Sequence, residues 1–149
     1  MCAAMTTSAR RSFLFIAVLA FAGIVVSSVS LYHHYGTSKT SYCDIGENFN
    51  CDIVNRSTYS TVLGVPDALI GIVGYSVLLV LTTLYRAKSE TPVVLLTASV
   101  LGLAFALYLT YVEAFVLATW CILCLSSLTL ICLITVFASF LAFSSRRRV

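Results

Sequence analysis

Four long apolar runs, almost free of charged residues, divide the chain: Phe13–Leu31, Pro66–Tyr85, Pro92–Tyr111 and Trp120–Phe143. Each comes close to the roughly 20 residues that a helix needs to cross a hydrocarbon core. The last two are poorly separated, because no charge falls anywhere between Ala114 and Ser145. As one helix, Pro92 to Phe143 would extend about 75 Å at about 1.5 Å per residue. A hydrocarbon core is about 30 Å thick, so the run has to fold back once. The pattern predicts an all-α integral membrane protein: a bundle of four transmembrane helices with a long outer loop, residues 32–65, between the first and second. Residues 1–149 read as a single membrane domain without repeats.

Composition agrees with this picture: 60% of the 149 residues are apolar and only 10% are charged. A soluble domain carries about a quarter charged residues. The placement of charge adds an orientation. Arg10, Arg11, Arg86, Lys88 and Arg146–Arg148 account for seven of the nine basic residues and all fall on one side of the predicted bundle. Basic loops stay cytoplasmic, so both termini are expected there, in a plasma (inner) membrane protein. The net charge of +3 then reports topology, and without a basic, aromatic patch it points to no nucleic-acid partner. The first run also fits a cleaved signal peptide, but it is longer than the usual core of about 7–15 residues, and its loss would invert the basic tail.

The outer loop has a polar first half and a mixed second half. Between Asp52 and Leu63, Ile53, Val54, Tyr59 and Val62 alternate with polar positions, which suggests a short amphipathic helix lying on the membrane surface. Pro66 and Pro92 suit the first turns of the second and third spans, where a missing N–H is harmless.

Six cysteines are sorted by this topology: Cys2, Cys43, Cys51, Cys121, Cys124 and Cys132. Cys2 is cytoplasmic and Cys132 lies within the last span. The other four face the outer compartment, where disulfides persist. With Thr119 as N-cap, Cys121 falls in the first turn of the last helix, near unsatisfied N–H groups that favour thiolate. Cys124 lies one turn deeper on nearly the same face. Cys121 is thus placed to meet thiols from the loop, and Cys124 to meet a lipid-soluble electron acceptor. The plainer alternatives are packing for Cys121–Cys124 and a static staple for Cys43–Cys51. A four-cysteine zinc site is disfavoured, since structural sites space paired ligands by about two to four residues. No metal is expected.

Flanking residues extend the pattern. "YCDIGENFNCDIV", "STYSTVLGVPDALIGIVGYSVL" and "LYLTYVEAFVLATWCILCLSS" together resemble the vitamin K epoxide reductase family, in particular its bacterial and archaeal members without a fused thioredoxin domain. The resemblance runs from about Phe13 to Phe143. It implies a quinone-dependent thiol–disulfide oxidoreductase: a separate thioredoxin-like protein delivers electrons to Cys43–Cys51, which pass to Cys121–Cys124 and on to a membrane quinone of the menaquinone, ubiquinone or vitamin K type. Disulfide formation in outer proteins would follow. The alternative is a vitamin K epoxide or quinone reductase whose reduced quinone is the product that matters. Leu128 and Asp67 stand where animal members carry a tyrosine and an asparagine beside the quinone. Those departures favour quinone over epoxide chemistry and mark both positions as candidate quinone neighbours. Ser57 is a further candidate by resemblance. Glu113, at the outer end of the third span, is placed either to move protons in quinone reduction or to sit as an interfacial acid.

Overall fold

The computed structural model describes residues 7–36, 46, 48–84, 88 and 90–146. Cys2, Cys43, Arg86, Arg147 and Arg148, on which the predicted topology and relay draw, lie outside these residues. Five helices organise the described chain: α1 (Thr7–Tyr35), α2 (Cys51–Asn55), α3 (Asp67–Thr83), α4 (Thr91–Val112) and α5 (Ile122–Arg146). Segments Thr7–Tyr35, Thr91–Leu117 and Ile122–Ser145 are long and apolar enough to cross a membrane. Helix α3, with 17 residues, is about 25 Å long and falls short of that length on its own.

Glycines set how the helices approach. Helix α1 packs along both α3 and α5, and α4 packs along α5, while α3 and α4 meet much less closely. Where α1 and α3 cross, Gly23 faces the Tyr75 ring and Gly71 faces the Ser27 side chain. Small residues let backbones come together where lipid supplies no hydrophobic drive between helices. Phe13, Ile16, Tyr75, Leu95, Ile134 and Leu141 fill the buried centre. Phe15, Phe21, Leu101, Leu107, Val136 and Phe140 point outward, as the lipid-facing surface of a bundle requires.

Two local features differ from the sequence expectation. The amphipathic helix across residues 52–63 is replaced by the five-residue α2, a 3-10 turn (Thr58–Ser60), and a hairpin of β1 (Thr61–Val62) against β2 (Val65–Pro66). Ser57 and Ser60 turn their hydroxyls onto nearby carbonyls, the competition that ends short helices. Leu63 and Gly64 then take φ values of 53° and 83°, the positive angles of a two-residue hairpin turn. At the other end, α4 runs into a π-helical turn, Glu113–Leu117, and Ala118 adopts a left-handed conformation with φ 48°. That residue reverses the chain between α4 and α5.

Candidate functional site

The reversal after α4 and the start of α2 are built as one unit. Trp120 N–H donates to Asn48 carbonyl at 2.9 Å, and Asn50 N–H donates to Trp120 carbonyl at 3.1 Å. This short parallel bridge, centred on Phe49 and Trp120, ties the loop to the start of α5. Asn50 then caps α2, its side-chain oxygen accepting from Ile53 N–H at 3.0 Å. Cys51, the first residue of α2, is buried in one cluster with Val54 and Cys121, and Cys124 packs against that cluster. Cys51 is disulfide-bonded, whereas Cys121, Cys124 and Cys132 are free thiols.

Cys121 occupies the N-cap of α5, two positions earlier in the helix than the sequence suggested. Its carbonyl accepts the first helical hydrogen bond, from Leu125 N–H at 3.0 Å, and its sulfur receives the N–H groups of Leu123 and Cys124. Thr119 is not the cap: its hydroxyl donates to Leu117 carbonyl at 3.1 Å. The Cys124 thiol, as a hydrogen-bond donor toward the Cys121 sulfur, is the main cause that holds Cys121 below the ordinary thiol range, with the two backbone N–H groups adding to it. Burial opposes them. A lowered value enlarges the thiolate fraction at neutral pH. The ultraviolet thiolate absorbance that Cys121→Ser removes is therefore expected to rise at lower pH in the parent protein than in Cys124→Ala. Identical titrations would leave Cys124 without that influence.

Glu113 closes the reversal from below. Its carboxylate Oε2 accepts Cys121 N–H at 3.1 Å and its carbonyl accepts Thr119 N–H at 3.2 Å. The side chain is only 1% exposed. Oε1 has no hydrogen-bond partner among the described residues, although the Cys124 thiol is near enough to interact with the carboxylate.

On the α2 side, Asn55 shares the helix with Cys51 and donates from Nδ2 to Cys121 Sγ at 4.0 Å, a long contact. Its other amide atom is fixed by α1: Ser30 Oγ donates to Asn55 Oδ1 at 2.6 Å. His34 Nδ1 and Ser60 Oγ both bond the Asn55 carbonyl. The His33 ring faces Asp52 at 3.6 Å. None of Asn55, Ser30 or His34 was a sequence candidate, and the only available signal was the four-residue step from Cys51 to Asn55 along one helical face.

Below the cysteines, a cavity of about 490 Å3 opens where α3 and α4 stand apart. Cys124 lines it with Asp67, Tyr75, Ser127, Phe105 and Leu109. Tyr75 Oη reaches both Ser127 Oγ and Ser127 carbonyl at 2.9 Å. Asp67 Oδ1 accepts Ala68 N–H at 2.7 Å, leaving the carboxylate at the cavity wall. Of the four candidate quinone neighbours, Asp67 lines this cavity. Glu113 and Ser57 instead line a second one of about 10 Å3, which Asp67 also borders. Leu128, half-buried on α5, is not among the residues lining either.

A sequence model of the vitamin K epoxide reductase family matches residues 14–140, most of the chain. The protein belongs to the vitamin K epoxide reductase family. A search of curated proteins gives no significant match. Membership makes the chain a membrane oxidoreductase, of a family associated with quinones in general. The residues gathered at the start of α5 can be read in that light: an activated thiol, a second thiol beside it, a disulfide half buried against both, and a cavity reached by the deeper sulfur.

Proposed function

We propose that the protein oxidises a thioredoxin-fold thiol partner through Cys43 and Cys51, relays two electrons to Cys121 and Cys124, and delivers them to a membrane quinone. All four long helices span the bilayer in this reading, with both termini cytoplasmic in the plasma membrane and the cysteines on the outer side. The observation that carries it is the burial of Cys51 and Cys121 in one cluster, with Cys124 packed against it at the wall of the 490 Å3 cavity.

The cavity suits a quinone on its own terms. Its volume falls in the range of about 300–1,000 Å3 common for small-molecule sites, with few polar groups among many apolar ones. Asp67, Tyr75 and Ser127 are the residues that would meet ring oxygens, while Phe105, Leu109 and Ile131 would pack against ring and tail. When bound, quinone supplies a two-electron oxidant that dissolves in lipid.

The residues of the chain carry out the exchange. A partner thiolate attacks the loop disulfide at Cys43, and the resulting mixed disulfide is resolved by the second partner thiol. Cys51, reduced, then attacks Cys121 in an oxidised Cys121–Cys124 pair, with Cys124 leaving as thiolate. Cys43 resolves the Cys51–Cys121 bond and restores the loop disulfide. Cap donors at the start of α5 favour thiolate on Cys121, and Asn55 arrives on the same helix as Cys51, so docking of α2 supplies both the attacking sulfur and one further donor. Asp67 lines the large cavity, Glu113 and Ser57 line the small one, and Leu128 lines neither.

The test is reconstitution in liposomes with a reduced thioredoxin-fold protein and a short-chain ubiquinone. Dithiol and quinone are expected to disappear in equal amounts. A partner whose second thiol is replaced is expected to accumulate a covalent complex with Cys43 of the parent protein, identifiable by mass, because Cys51 leaves as thiolate and nothing resolves the mixed disulfide, whereas Cys43→Ala blocks electron entry from the partner. Unchanged thiol oxidation in the absence of quinone would overturn the reading, as would labelling that places Cys51 and Cys121 on opposite membrane faces.

A further inference from the structure

The carboxylate of Glu113 is used only halfway by its structural role. Oε2 accepts Cys121 N–H, and that one bond is enough to hold the chain reversal. Oε1 is buried without a hydrogen-bond partner among the described residues, a condition that native proteins rarely leave unexplained. Two features surround it. The Cys124 thiol interacts with the carboxylate. Glu113 also borders the small cavity, together with Ser57, Ser60 and Asp67. Its volume of about 10 Å3 is close to the least space that one water molecule needs. Asp67 belongs to the walls of both this small cavity and the large one, and its charge reaches Glu113.

We propose that Glu113 and Asp67 form a proton route carrying the protons of the Cys121–Cys124 thiols to the quinone oxygens. The inference rests on the quinone-reducing reading given above and adds where the protons go. Oxidation of the pair breaks two S–H bonds and forms one S–S bond. Two electrons and two protons are released, and both are taken up as the two C=O groups of a quinone become C–OH. No outside proton donor is needed for the balance. The two sulfurs share a hydrogen bond, so protons leave from Cys124, beside Glu113. Oε1 accepts, the small cavity bridges to Asp67, and Asp67 donates at the wall of the large cavity. Glu113 and Asp67 are the two carboxyl groups at the walls of the small cavity, so they are its conductor.

Conservative variants separate this role from the structural one. Glu113→Gln keeps an oxygen to accept Cys121 N–H, and Asp67→Asn keeps one for Ala68 N–H, but neither can carry a proton. In the full-length protein, oxidising the pair with the soluble oxidant diamide is expected to change the infrared carboxyl stretch in the parent, and Glu113→Gln is expected to abolish that change. With a short-chain ubiquinone, each variant should lower kcat by roughly 10²-fold, within the range of general acid–base effects, and leave KM unchanged. Added formate should restore part of the activity of Glu113→Ala. Absence of any carboxyl signal in the parent, or full kcat in both Gln and Asn variants, overturns the route. Failure of the parent to reduce quinone at all would sink the underlying reading as well, and is thereby distinguishable from normal quinone reduction by unaffected variants, which sinks only the proton route.

Discussion

Cys124→Ala is expected to stop quinone reduction, by at least roughly 10³-fold, while leaving the first thiol exchange intact. The Cys121 thiolate can still attack Cys51 of the loop disulfide, with Cys43 leaving as thiolate, since Cys51 and Cys121 share one buried cluster. What is lost is the sulfur that closes the inner disulfide and lines the cavity. A disulfide between Cys51 and Cys121 should therefore build up and be visible as a cross-linked peptide under non-reducing conditions. Stability should change little, because Cys124 is half-buried and the substitution removes one small atom. Cys132→Ala is the internal control. That thiol is exposed on α5, eight residues further on, and its removal should leave activity at the parental rate. Equal losses in the two variants would mean that the cavity-facing sulfur has no special part.

The second large effect is steric and lies far away in sequence, at Gly23. A Cβ at Gly23 would stand 2.4 to 2.6 Å from three atoms of the Tyr75 ring, including the one nearest its backbone. The ring cannot swing aside: it is 5% exposed and held at its far end by Ser127. Gly23→Ala must push α1 and α3 apart, at a cost of about 1–3 kcal/mol or more for an overpacked core. Because Tyr75 also lines the cavity, activity should fall together with the midpoint of unfolding in detergent. Gly74→Ala provides the contrast. Nothing lies within 4 Å of a Cβ there, and an exposed or open helical glycine replaced by alanine gains up to about 1 kcal/mol. A stable, active Gly23→Ala variant would show that the α1–α3 contact is looser than described.

Much of the architecture could be read directly from where charge is missing. The apolar runs fall on α1, α3, α4 and α5, within six residues at every end, and three of the resulting segments are long and apolar enough to cross a membrane. The fold-back between α4 and α5 was required by length, yet its position was hidden. It depends on Ala118 adopting positive φ and on Glu113 accepting Thr119 and Cys121 N–H groups. Neither an alanine in that conformation nor a glutamate reaching eight residues forward leaves a mark in hydropathy. The loop was the least legible part. Periodicity suggested one amphipathic helix, whereas serine hydroxyls and the Leu63–Gly64 turn broke it into α2 and a hairpin. Ser30 and Asn55 meet across 25 residues, and Asn55 and Cys121 across 66, so only tertiary packing brings them together. The cysteines were easier to single out because their spacing and the side of the membrane expected for them restrict what thiols can do.

The length of α1 has a mechanical consequence. At 29 residues it is about 44 Å long, some 14 Å more than a hydrocarbon core. Its last turns bear Ser30, His33 and His34, which grip α2 through Asn55 and Asp52. The rod thus serves as a mast to which α2 is lashed, and it is packed against α3 and α5. The height of Cys51 over Cys121 is set by this scaffold instead of by headgroups, so thinner or thicker bilayers should leave the sulfur alignment undisturbed.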